Sequence, residues 1–176
     1  MTTRKLGILA GLAIVLSAWT LAAQEGPAKA KVGDWTSMKM SVKGLEITMK
    51  QTIIAKDDTT ATLKMEQSFG GKDLPPQEQK ISLSQLGDPT KLASKADAAK
   101  VEKLKSGKET LTIKGNKVNC EWIEVKTSAN AGGNAFTTIA KIWTSREIPL
   151  YGLVKMESDV MGQKMTMELV DYGRGK

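Results

Sequence analysis

Residues 156–169 read MESDVMGQKMTMEL. Their apolar positions are Met156, Val160, Met165, Met167 and Leu169, spaced by even steps on each side of Gly162-Gln163. Period two is what a strand with one buried face requires, because successive side chains leave opposite sides of the backbone. A two-residue turn with Gly first then predicts a hairpin in which Val160 faces Met165, Ser158 faces Met167 and Met156 faces Leu169.

The same count works outward from there. Met38, Met40 and Val42, then Leu45, Ile47, Met49 and Ile53, then Ala61, Leu63, Met65 and Phe69 all alternate. Ile53 and Leu63 share a face only if the loop between them is odd, which selects Asp57-Asp58-Thr59 over a two-residue turn. Gly115-Asn116 predicts a second tight hairpin, with Ile113 facing Val118 and Leu111 facing Cys120. A strand near 136–144 should follow the loop SANAGGNA at 128–135 and pair with the strand that carries Trp122. One stretch breaks the pattern. Asp88-Pro89 resembles an N-cap with Pro at the first helical position, and TKLASKADAAKVEKLK after it predicts a helical insertion near 88–105, closed by Gly107. The expected fold is mainly β: an antiparallel meander of about eight strands forming an incomplete barrel or curved sheet, with that one insertion.

The chain has 176 residues, a net charge of +7, no His and a single Cys. Without His there is no Ser-His-Asp triad, no Cys-His nucleophile and no imidazole metal ligand. Cys120 alone excludes an internal disulfide and a thiolate zinc cluster. Arg4 and Lys5, the uncharged run Leu6 to Leu16, and small residues up to Ala23 follow the order of a cleavable signal peptide over 1–23, the alternative being an uncleaved anchor over Leu6 to Ala23. QEGPAKAK at 24–31 then reads as a flexible leader to one domain over 32–176, long enough for its own core. The expected location is periplasmic or secreted.

Methionine is the residue type that stands out. Met38, Met49, Met65, Met156 and Met167 fall on strand faces at even spacing. Such thioethers serve as ordinary core, as the adaptable wall of an apolar cavity, or as soft Cu(I) ligands, and the missing His and second Cys weigh against copper. Gln51 and Gln67 interrupt the apolar faces, so they meet each other, meet water, or mark a rim. The Lys-rich stretch 91–117 lacks interleaved aromatics, which excludes a stacking platform for nucleic acid and leaves a solvated face or an anionic membrane surface as partner. Cys120 reads as a small buried hydrophobe. Among carboxylates, Asp57, Asp58, Glu121 and Glu124 are available, but no spacing singles out a catalytic pair.

VGDWTSMKMSV, CEWIEV and above all KIWTSREIPLYGLVKMES at 141–158 resemble a group of uncharacterised secreted bacterial β-rich proteins with a K-W-x-S segment followed by P-x-x-G-x-V-K. More distantly, the strand-rich pattern is similar to the outer-membrane lipoprotein carrier class. That resemblance implies an incomplete barrel around an apolar cavity and lipid or lipoprotein binding without catalysis. The expectation is therefore a non-enzymatic envelope protein, without cofactor or metal. It would bind a lipid, acyl chain or hydrophobic segment on a concave apolar face carrying Met38, Met49, Met65, Met156 and Met167. The alternative is a structural or interaction module whose core is fully packed.

Overall fold

The computed structural model describes residues 30–83, 100–131, 134–160 and 162–176. The segments at 1–29 and 84–99 lie outside them, and with them the signal peptide and the first part of the expected helix. Ten strands are present among the described residues. β1 (Trp35–Val42), β2 (Leu45–Lys56), β3 (Thr60–Phe69), β4 (Lys72–Asp73) and β5 (Gln77–Ser82) form an N-terminal unit. The C-terminal unit comprises β6 (Lys100–Ile113), β7 (Asn116–Ala131), β8 (Asn134–Thr144), β9 (Leu153–Val160) and β10 (Gln163–Gly173). All pair antiparallel in one sheet, in the order β4-β3-β2-β1-β10-β9-β8-β7-β6, with β5 beside β3. The sheet is not closed into a barrel: β6 forms one edge, and β4 with β5 the other.

The two units meet where the first strand pairs with the last. Trp35 lies opposite Gly173 and Val42 opposite Met165, with a bulge between Ser37 and Met38. A buried carboxylate ties both chain ends to this seam. Asp34 is fully buried; one oxygen accepts the Lys31 N–H at 3.0 Å and lies 3.5 Å from the Arg174 guanidinium, while the other accepts the Gly175 N–H at 2.7 Å.

Parity predicts which side chains share a face, and the pairing agrees. Ile53 lies opposite Leu63 and Trp122 opposite Trp143, but the odd loop is not what aligns the first pair: at the turn Lys56 faces Ala61, and a bulge between Ile53 and Ala55 shifts the register by one. Three further expectations need correction. Leu111 faces Val118 and Glu109 faces Cys120, so the turn is Lys114-Gly115 and not Gly115-Asn116. In the C-terminal hairpin Val160 faces Gln163, Ser158 faces Met165 and Met156 faces Met167. The cause is common to both. Lys114 and Gly115 have φ of 47° and 81°, as do Lys43 and Gly44 at 50° and 76° in the first hairpin, the signature of type I′ turns with Gly second. Gly162 likewise has φ 75°. Each register therefore slips by two residues, which keeps every side chain on its expected face.

The third correction concerns the helix. Its last part, Lys100 to Lys105, is strand, and Gly107 sits in mid-strand opposite Trp122. A Cβ at Gly107 would lie 2.8 Å from the Trp122 indole, so the glycine makes room for the ring. Propensity written in Ala, Lys and Leu gives way here to the ladder with β7. The loop expected at 128–135 is also shorter, since β7 runs to Ala131 and β8 starts at Asn134.

Candidate functional site

Following the registers from strand to strand on the inner face gives one unbroken apolar row: Phe69, Ile47, Met40, Met167, Met156, Ile142 and Ile123. Its two ends differ in exposure. Phe69 is 46% exposed and Ile47 and Met40 are half-buried, whereas Met156 and Ile142 are each at 1%. Leu45, at 48%, extends the exposed end.

The five methionines fall on this face in two pairs and a single residue. Met38 faces Met49 across β1 and β2, and Met156 faces Met167 across β9 and β10. Met38, Met156 and Met167 belong to the main core cluster, while Met49 and Met65 are half-buried on the N-terminal unit. Gln67 and Gln51 do not face each other. Gln67 lies opposite Met49, its amide donating to the sulfur at 3.7 Å, and Gln51 lies opposite Met65. Both amides are half-buried, which places them at the rim of the apolar area.

Two elements cover the buried part of the face. The loop Ser145 to Gly152 (SREIPLYG) buries Ile148, Pro149 and Leu150. Leu150 is fully buried at φ 62°, an uncommon conformation for a branched side chain, and joins Ile53, Ala61, Leu63 and Ile81 in a second cluster. Ile148 belongs to the main cluster and Tyr151 touches both, so this loop links the two cores; burial pushes the Tyr151 hydroxyl up to about 12. The other cover is the tip of the β6–β7 hairpin. β7 pairs with β8 only from Glu121 onward; before that, residues 108–120 continue as a two-stranded ribbon. Val118 and Cys120 of the ribbon are buried in the main cluster, with Leu111 and Ile113 packed against it. Burial raises the Cys120 thiol above its ordinary range.

The ribbon is fastened at two points that sequence reasoning missed. Lys114 at its tip pairs with Asp171 of β10, holding that carboxyl below its usual value. Glu109 accepts the Trp143 indole N–H at 2.8 Å. Trp143 is only 4% exposed and belongs to the main cluster with Val118 and Cys120 of the ribbon; Lys141 and Lys155 lie 4.4 and 5.4 Å from its ring centre, and Lys141 is also 4.2 Å from Trp122. Trp122 and Trp143 are both visible in the sequence, but their cross-strand adjacency is set by the β7–β8 register, which closes at Ala131 and Asn134.

The candidate carboxylates stay apart. Asp57 accepts from Thr59 and Thr60, both N–H and hydroxyl, which closes the β2–β3 turn and holds the carboxyl far below the usual range. Glu121 pairs with Lys108, and Glu124 lies between Lys105 and Lys141. Neither pair of carboxylates forms an acid–base couple. Of the Lys-rich stretch, residues 91–99 lie outside the described part; Lys103, Lys105, Lys108 and Lys117 are exposed on β6 and β7, and Lys114 in the turn between them.

No protein-family model matches the chain, and no curated protein matches it. Among solved structures, a Bacteroides fragilis protein described as exported, with a YmcC-like fold, aligns at TM-score 0.50 and 8% identity. The likeness is one of fold. It covers 82% of this chain and 97% of that one. A Parabacteroides distasonis protein described as a lipoprotein aligns at TM-score 0.47, with 10% identity over 89% of this chain and 99% of its own. A hypothetical protein of Chlamydia trachomatis aligns at 0.45, with 12% identity over 87% and 92%.

Proposed function

We propose that this is an exported, non-enzymatic envelope protein that binds an acyl chain or other hydrophobic segment along the inner face of β1–β3. The observation that carries the proposal is the apolar row that runs without a break from half-exposed Phe69, Ile47 and Met40 into buried Met167 and Met156. A protein face that is both apolar and open is the usual mark of a ligand or partner site. Met40, Met49 and Met65 suit such a surface because an unbranched thioether adapts to varied shapes. Export is supported by the order of charge, apolar run and small residues in 1–23, and by the fold shared with a protein described as exported. Binding accords with a chain that has no His and whose carboxylates are scattered.

The test has two arms. Native mass spectrometry of protein purified from its own envelope should show a co-purified lipid. Titration with a fluorescent fatty acid should saturate at one per chain, and Ile47→Ser should weaken uptake by about tenfold, the size of losing most of a buried aliphatic side chain's contact. No uptake at micromolar protein, with no lipid carried through purification, would leave an interaction module with a packed core.

A further inference from the structure

The β6–β7 ribbon has the layout of a strap. It leaves the sheet at Lys108 and Glu121, the last cross-strand pair before β7 loses its contact with β8, one step beyond Gly107 and Trp122. From there it runs to the type I′ turn at Lys114-Gly115, and β6 touches β10 although three strands separate them in the sheet. The underside of this ribbon is apolar: Leu111, Ile113, Val118 and Cys120 pack on the cluster that holds Met38, Met167 and Leu169. Its upper side is polar, with Thr110 facing Asn119 and Thr112 facing Lys117. What fastens the tip is an ion pair between Lys114 and Asp171, both partly exposed to solvent, and what fastens the base is the Glu109 to Trp143 hydrogen bond. A two-stranded ribbon is marginal on its own, so it holds its place only through its underside and these fastenings.

We infer that the ribbon opens as a unit while the rest of the sheet stays folded, and that its opening extends the half-exposed face of β1–β3 over Met38, Met167 and Leu169, giving an acyl chain access to the buried part of the row. The clause about the acyl chain rests on the proposed function; the opening itself does not. Opening of the strap moves Cys120, which is 3% exposed and is the chain's single cysteine, from the core into solvent. The molecule thus carries its own reporter.

The experiment is thiol labelling of the full chain with Ellman's reagent across urea concentrations below the unfolding transition. The expected result is labelling faster than global unfolding permits, with a urea dependence that is only a fraction of the global slope, as for a sub-global opening. Asp171→Asn should speed labelling about two- to fivefold, the range that a solvent-exposed ion pair supports. Lys114→Asn should do the same while keeping a residue suited to the left-handed turn position, and the double variant should add nothing, because both remove one interaction. Lys80→Gln, which removes an exposed 3.9 Å pair with Asp57 on the other unit, should leave the rate unchanged. Labelling that follows global unfolding in the parent and in every variant overturns the strap.

A second readout is the association rate of a fluorescent fatty acid. Asp171→Asn should raise it by the same factor as the labelling rate. An association rate that ignores the latch overturns the strap as the access route. Absence of any uptake overturns the proposed function instead, and thiol labelling still decides whether the strap opens.

Discussion

The two units share one pattern and end in different states. On β1–β3 the inner-face side chains Leu45, Ile47, Met49, Met65 and Phe69 are half-buried or exposed, whereas Met38, Ile53, Ala61 and Leu63 of the same face are buried. On β7–β10 their counterparts Ile123, Val125, Ala140, Ile142, Met156 and Met165 are all buried. Alternation in the chain specifies which side chains share a face; it says nothing about what lies on that face. The difference follows the Ser145 to Gly152 loop and the β6–β7 ribbon: the ribbon packs on the main cluster, while the loop reaches both clusters and through Leu150 also encloses Ile53, Ala61 and Leu63 of the N-terminal unit. Small residues mark the same contrast on the outer side, where Gly107 and Gly173 each lie beneath a tryptophan.

The largest test of the contrast is truncation at matched residues. Met156→Ala, at a position 1% exposed, should cost about 2–5 kcal/mol through lost transfer energy and a residual cavity. Met49→Ala, on a half-buried side chain, should cost roughly 1 kcal/mol, about half the value of fully burying a methionine. Urea unfolding monitored by tryptophan emission measures both. Equal costs would mean that the N-terminal face is as enclosed as the other, and the proposed site would lose its opening.

How much of this was legible follows from the turns and the covers. The pairing of Ile53 with Leu63 was readable from their shared face, but the loop parity drawn from it was not, because a bulge between Ile53 and Ala55 takes up one residue; Asp57 closes the turn by accepting from Thr59 and Thr60. Hairpins with Lys-Gly turns were not, because Gly serves first in a type II′ turn and second in a type I′ turn, and Lys at positive φ carries no compositional flag. The resulting slip by two left the face assignment intact, which is why the methionines were placed on the correct face while their partners were misassigned. Lys100 to Lys105 read as helix because local propensity is a weak prior against fourteen residues of ladder with β7. The half-open character of Met49 and Met65 had no signal in the sequence at all, since exposure depends on distant segments. Asp34 and Arg174, 140 residues apart, meet only because β1 and β10 are neighbours.

A smaller effect compares the two tryptophan and glycine pairs. Gly107→Ala should cost about 1–3 kcal/mol, because the added Cβ meets three atoms of the Trp122 ring at 2.8 to 2.9 Å and that ring is itself held under Lys141. Gly173→Ala presses closer, with the Cβ 2.3 Å from the Trp35 indole nitrogen, and should cost at least as much. Trp35 has one cation above it, Lys50 at 4.8 Å, so its emission should shift on substitution if the ring swings outward. A neutral Gly107→Ala with an unshifted spectrum would mean that the base of the ribbon is loosely packed, and that opening needs no hinge there.

Ser158 gives the smallest effect and the one whose sign decides most. It lies on the inner face of the C-terminal unit, opposite Met165 on one side and Ala140 on the other, at 6% exposure, and its hydroxyl has no hydrogen-bond partner among the described residues. A buried hydroxyl left unpaired costs roughly 1–3 kcal/mol relative to one solvated by water, so removing it relieves the native state of that cost. The methylene that Ser158→Ala leaves behind keeps its contacts, and the volume lost is one oxygen. The expected outcome is a gain of about 1 kcal/mol in the urea-derived stability, at the low end of that range because Ala140 leaves the site some freedom to relax. The corresponding polar groups of the N-terminal unit, Gln51 and Gln67, are half-exposed, and their replacement by Leu should change stability by no more than about 0.5 kcal/mol, as at other surface sites. A loss of stability in Ser158→Ala would reverse the inference about the C-terminal unit. It would mean that solvent reaches the hydroxyl inside the supposedly closed half, and that the contrast between an open and a closed face is one of degree along the row and not a boundary at the β1–β10 seam.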